Sequence, residues 1–175
     1  MTWIEVVDSA VKIGLGALIA GGFSYFNASL NLDSERRARL STRRRDHLEK
    51  ILELIAELEN KYTHQKWRLE SYRFYLAKGD NVRATEEERE FEQLDKQLYL
   101  AMDRIPKAST VLLLLGEKHA DTLLWAFREA IDGWVRWSVL DASVFPESDK
   151  EARAKAVREA REKLLDALSG AYARS

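Results

Sequence analysis

From Leu48 onward, apolar residues return every seven positions. Leu48, Ile55, Tyr62, Leu69 and Leu76 form one seam, and Ile51, Leu58 and Tyr72 its companion, with Gln65 as the polar exception. This is the spacing of a helix that buries one stripe. Further apolar residues at Leu52, Leu54 and Phe74 widen the stripe into a bundle wall. No glycine or proline lies between Gly22 and Gly79, so one helix can run to about Ala77 with Gly79 as its C-cap. A break near Asn27 to Ser34 is the alternative, because Asn31 and Ser34 can cap a new helix. The TEEE sequence of Thr85 to Glu88 reads as a capping box opening the next helix. The buried stripe of that helix is Phe91, Leu94, Leu98, Met102 and Ile105, and Pro106 breaks it. Thr110 to Leu115 (TVLLLL) is expected as a short buried helical turn ending at Gly116. Between His119 and Val144, Leu123, Phe127, Ile131 and Trp134 share a face. Gly133 either weakens that helix or admits a close neighbour. Ser148 or Asp149 is expected to cap a last helix buried through Val157, Ala160, Leu164, Leu168 and Ala171. Glu151 with Lys155 and Glu159 with Lys163 are expected as stabilising pairs on its surface. The fold class is all-α, an antiparallel bundle of about four helices with short connections.

The start of the chain has a different pattern. Residues 6–26 read VVDSAVKIGLGALIAGGFSYF, and no charge occurs from Ile13 to Leu32. As a helix this stretch covers about 30 Å, one hydrocarbon thickness. Asp8 and Lys12 can pair at its rim, while Trp3 at one end and Tyr25 and Phe26 at the other suit membrane interfaces. A cleaved signal peptide would have a basic start and a small-residue cleavage site, and this segment has neither. A core helix of a soluble fold is the other rival. Residues 36–45, RRARLSTRRR, follow with six arginines and no acid. That asymmetry places the N-terminus outside and the rest of the chain in the cytoplasm. Arg36, Arg37, Arg39, Arg43, Arg44 and Arg45 are expected against anionic headgroups. Small residues Gly16, Ala20 and Ser24, with Ala17 and Gly21 in the adjoining row, give the span a face for self-association. The expected organisation is a transmembrane anchor over 2–30, a basic juxtamembrane helix over 31–47 and a cytosolic helical bundle over 48–175.

Composition narrows the chemistry. No cysteine occurs, which removes disulfides, thiolate nucleophiles and cysteine-ligated zinc. The net charge of −1 gives no global attraction to nucleic acid, and no aromatic platform is interleaved with the arginines. His47, His64 and His119 are isolated, and no E-x-x-H, P-loop, G-x-G-x-x-G or G-x-S-x-G motif occurs. The glutamates at 86, 87, 88, 90 and 92 read as a solvated face. No catalytic residue, metal site or cofactor site is expected.

The stretches IGLGALIAGGFSYF, ERRARLSTRRRDHLEKILELIAEL and TVLLLLGEKHADTLLWAF give the chain a pattern that resembles small bacterial single-span membrane proteins. These share a glycine- and alanine-rich span, an arginine-rich juxtamembrane helix and a cytosolic helical bundle. The resemblance implies topology at the inner membrane and carries over no functional residue. The function expected is a membrane-anchored module that docks a protein partner or another copy of itself. Trp125 and Trp137 fall off the apolar face of their helix and are the candidate anchors, unless the bundle buries both faces. The alternative is a membrane-perturbing, holin-like or defence-associated effector whose spans oligomerise.

Overall fold

A computed structural model describes the backbone of residues 3–139 and 147–174, and the side chains of residues 38–138 and 149–174. The described residues are helical throughout apart from tight turns: α1 is Trp3–Ala77, α2 Asn81–Met102, α3 Ile105–Leu114, α4 Lys118–Val139 and α5 Glu147–Ala173. The chain forms two compact units, Met1–Arg43 and Arg44–Ser175.

In the first unit the chain is the opening stretch of α1, and the break considered near Asn27 to Ser34 does not occur. Without a glycine or proline there, nothing in the backbone opposes the helix. Thr42 donates its hydroxyl to the Ala38 carbonyl at 2.9 Å, and Leu40 is exposed. Among the described residues no helix is long and apolar enough to cross a membrane. The side chains of the apolar stretch 6–26, including Gly16, Ala17, Ala20, Gly21 and Ser24, lie outside the described residues, as do those of Arg36 and Arg37.

The second unit is an antiparallel bundle of four rods, α2 and α3 together making one of them. Cross-contacts give the directions. Gln65 meets Asp95 and Arg68 meets Glu87, so α2 runs against α1. Glu49 meets Tyr172, Glu59 meets Arg161 and Glu70 meets Lys150, so α5 also runs against α1. Tyr62 against Trp134 and Arg73 against Trp137 set α4 parallel to α1. The heptad seam is the core wall: Leu48, Ile51, Ile55, Leu58, Tyr62 and Leu69 are buried together with Leu54. Phe127, Ile131 and Trp134 of α4 and Val157, Leu164 and Leu168 of α5 close it.

Two turns share one device. Gly79 has φ +74° and Gly116 φ +79°, a conformation that costs glycine little. Asp80 N–H donates to the Tyr75 carbonyl at 3.1 Å and Gly79 N–H to Leu76 at 3.1 Å, which satisfies the last carbonyls of α1. Glu117 N–H to Leu112 (2.9 Å) and Gly116 N–H to Leu113 (3.0 Å) repeat the arrangement after α3. Asp80 then caps α2 directly, its Oδ1 accepting the Arg83 N–H at 3.2 Å. The capping box expected at Thr85 to Glu88 is therefore not formed. The helix is already under way there, and Thr85 donates back to the Asn81 carbonyl at 2.9 Å. Pro106 falls in the first turn of α3, where a missing N–H costs nothing. It separates α3 from α2 without ending the rod.

The last helix starts at Glu147, so Ser148 and Asp149 lie inside it and are not its caps. Lys155 pairs forward with Glu159 at 3.7 Å rather than back with Glu151. Gly133 sits inside α4, and the Arg153 guanidinium of α5 reaches its carbonyl at 3.1 Å. A Cβ built there would meet Arg153 Nη1 at 3.7 Å, an ordinary contact. Gly133→Ala should thus raise stability by up to about 1 kcal/mol, because alanine has the better helix propensity and nothing has to move. Urea denaturation followed by circular dichroism measures this. A fall in midpoint would show that the α4–α5 approach depends on glycine.

Candidate docking groove

The side of α1 that faces away from α2 carries Glu59, Tyr62, Thr63, Lys66, Trp67 and Glu70, which are separated by one helical turn or less. The antiparallel α5 sets Arg161, Arg158, Ala154 and Lys150 against it. Arg161 Nε lies 2.7 Å from Glu59 Oε2, and Lys150 Nζ lies 3.2 Å from Glu70 Oε1. Alanine at 154 leaves the two helices short of side chain between these pairs. Two adjoining depressions result, of about 380 Å³ and about 490 Å³, sharing Lys66, Glu70, Ala154 and Arg158. Phe127 and Val157 are part of the lining of the smaller one.

Two properties single this groove out as the candidate site. Trp67 lines it and is 67% exposed, although a tryptophan ring is normally among the most buried surfaces of a fold. Lys66 and Arg158, between the bracketing ion pairs, have no carboxylate partner among the described residues. Below them, Tyr62 is 8% exposed and its hydroxyl meets no hydrogen-bond partner among the described residues. Burial pushes the Tyr62 hydroxyl up to about 12, and Arg158 opposes that shift while Glu70 adds to it. The phenol therefore remains a proton donor at neutral pH.

The expected anchors are elsewhere. Trp137 is 2% exposed, packed on Trp134 with ring centres 5.1 Å apart and covered by the Arg73 guanidinium at 5.0 Å. It cannot meet a partner, because α4 buries more than one face and Trp137 lies on the inner side with Trp134 and Val135. Trp125 is half-buried, donates its Nε1–H to Ser109 Oγ at 3.1 Å and carries Arg128 on its ring at 5.2 Å. Trp67 is the exposed tryptophan at this groove. It occupies the outward position of the heptad, where no packing reason calls for an aromatic.

The arginines divide in the same way. Arg39 and Arg43 are exposed. Arg44 is turned into the bundle, where it ion-pairs with Glu117 Oε1, while Arg174 reaches Glu117 Oε2 at 2.8 Å. Glu117 is 8% exposed, so its charge needs both partners. Arg45 lies over the Tyr172 ring at 5.7 Å. Arg44 therefore ties the bundle's base together and does not belong with the headgroup contacts. In the acidic run, Glu87 and Glu90 hold Arg68 at 3.0 and 2.5 Å, so part of that face is structural. His47, His64 and His119 are exposed, and among the described residues no group of three or more potential metal ligands converges. No family model matches the chain, and no curated protein or solved structure is significantly similar to it.

Proposed function

We propose that the chain is a membrane-anchored interaction module, held at the inner face of the membrane by its N-terminal apolar helix and docking a protein partner in the α1–α5 groove. The exposed ring of Trp67 at that groove carries the reading. An aromatic anchor beside a preformed depression is the usual centre of a binding surface. The anchor is supported by the uncharged run from Ile13 to Leu32 and by the arginines after it. Self-assembly through Gly16, Ala20 and Ser24 is compatible with the same tether and would multiply the docking sites.

A photo-crosslinking amino acid placed at position 63 of the full-length chain, an exposed threonine lining the groove, tests this in cells and leaves Trp67 in place. The chain should sediment with membranes and resist salt extraction. Position 63 should yield protein adducts, whereas position 100, an exposed leucine on α2, should not. Recovery of the chain in the supernatant after high-speed centrifugation without detergent would remove the anchor. Equal adduct yields at 63 and 100 would remove the docking site.

A further inference from the structure

We infer that the segment received by this groove is an acidic peptide of the partner, with one carboxylate seated between Lys66 and Arg158. The inference rests on the docking reading and adds the chemistry of what docks. The α1–α5 interface is a ladder of ion pairs in a fixed antiparallel register. Glu59 with Arg161 is one rung and Glu70 with Lys150 another. Between them the register continues, but the acid is missing. Lys66 and Arg158 face the gap without a carboxylate, and the Tyr62 hydroxyl is buried at its floor without an acceptor. Two cations side by side without a counter-charge favour an incoming anion. A carboxylate can accept from both cations and forms the charge-assisted kind of bond that is strongest.

The surroundings select a peptide rather than a free phosphate. The groove extends along α5 from Lys150 to Arg161, about 16 Å at helical rise. A lone anion would fill only its middle. The floor beside the cations is apolar, with Phe127, Val157 and Ala154, and Trp67 offers a ring face for a neighbouring side chain. Glu59, Glu70 and Glu151 also border the groove and repel a doubly charged phosphate more than a single carboxylate.

The test uses the full-length chain in detergent micelles and three probes: a capped, fluorescently labelled peptide of glutamates and leucines, the same peptide with lysine for glutamate, and inorganic phosphate. Fluorescence polarisation should show saturable binding of the acidic peptide alone. Lys66→Glu with Arg158→Glu should weaken it by about tenfold or more, as expected for a lost charge-assisted contact. Lys66→Gln with Arg158→Gln should give a smaller loss with unchanged circular dichroism, which excludes misfolding as the cause. Lys163→Glu, exposed on α5 beyond the groove, should leave binding intact. Failure of the acidic peptide to bind overturns the inference, as does an equal loss in Lys163→Glu. Displacement of the peptide by phosphate at comparable concentration also overturns it, since the site would then be one for small anions. The two levels separate in cells. Adducts at position 63 that survive Lys66→Glu with Arg158→Glu leave docking in place and remove the carboxylate seat; no adducts at 63 in the otherwise unchanged chain remove docking itself.

Discussion

Trp134→Ala should lower the unfolding free energy by about 3–5 kcal/mol, the range for emptying a packed aromatic position. Trp134 is fully buried on α4 at the centre of the bundle. Its ring meets Tyr62 edge-on with centroids 5.4 Å apart, and Trp137 at 5.1 Å. Each aromatic pair adds about 0.5–1.5 kcal/mol beyond the area it buries. The loss is therefore felt in α1 through Tyr62 and again within α4. Against a typical domain stability of about 5–15 kcal/mol, this one change is enough to make the bundle marginal. Trp134→Phe should cost less, because it keeps most of the ring and removes an indole N–H that has no partner among the described residues. Trp67→Ala is the comparison, and should stay within about 0.5 kcal/mol of the parent because an exposed side chain loses little on truncation. Guanidinium unfolding of the solubilised chain, read by circular dichroism, orders the three variants. Equal midpoints for Trp134→Ala and Trp67→Ala would contradict the burial pattern on which both the core and the candidate groove depend.

Helix periodicity made most of the bundle legible from the sequence. A residue's heptad position is a local property, so Leu48, Ile55, Tyr62 and Leu69 could be placed on the core wall without knowing their neighbours, and they are buried. Leu76 and Phe74 keep the pattern but are exposed, since they lie beyond the last rung to α5 at Glu70 and run out to the Gly79 turn. Gly79 and Gly116 could be read as helix ends because glycine is the residue that tolerates positive φ. The TEEE box failed because caps compete. Asp80 follows the Gly79 turn at once and starts α2 five residues earlier. The groove itself was out of reach. Tyr62 and Lys66 are separated from Arg158 by more than ninety positions, and only the antiparallel placement of α5 brings them together. For the same reason Arg44 reads in the sequence as one more juxtamembrane charge, although in the fold it shares Glu117 with Arg174. Partner choice between distant side chains is a property of the fold, whereas periodicity and caps belong to the chain.

Gln65 is the one polar member of the heptad seam, and it leads to the second large effect. It is 0% exposed, donates Nε2–H to Asp95 Oδ1 at 2.7 Å, and its Oε1 meets no partner among the described residues. Asp95→Ala should cost about 2 kcal/mol, because it leaves a wholly buried amide with neither end satisfied. Gln65→Leu should be close to neutral. It loses the bond, but it also removes the unpaired oxygen and fills the seam with an apolar side chain, while half-buried Asp95 can turn to water. Adding Gln65→Leu to Asp95→Ala should then recover most of the loss, so the double-mutant cycle should show a coupling of about 2 kcal/mol. Additive effects would mean that the two residues act separately. The pH dependence carries its own sign. Burial raises the Asp95 carboxyl above its ordinary value, and the Gln65 bond pulls it partly back. A raised native value means that the folded chain binds the proton more readily than the unfolded chain, so the Asp95 contribution to stability falls as pH rises through the carboxylate range. Subtracting the Asp95→Ala curve from the parent curve isolates that contribution. In Gln65→Leu the fall should be steeper, because the lowering bond is gone. A difference curve that rises with pH would show that the carboxylate is better held in the fold than in water, the reverse of the sign expected from burial.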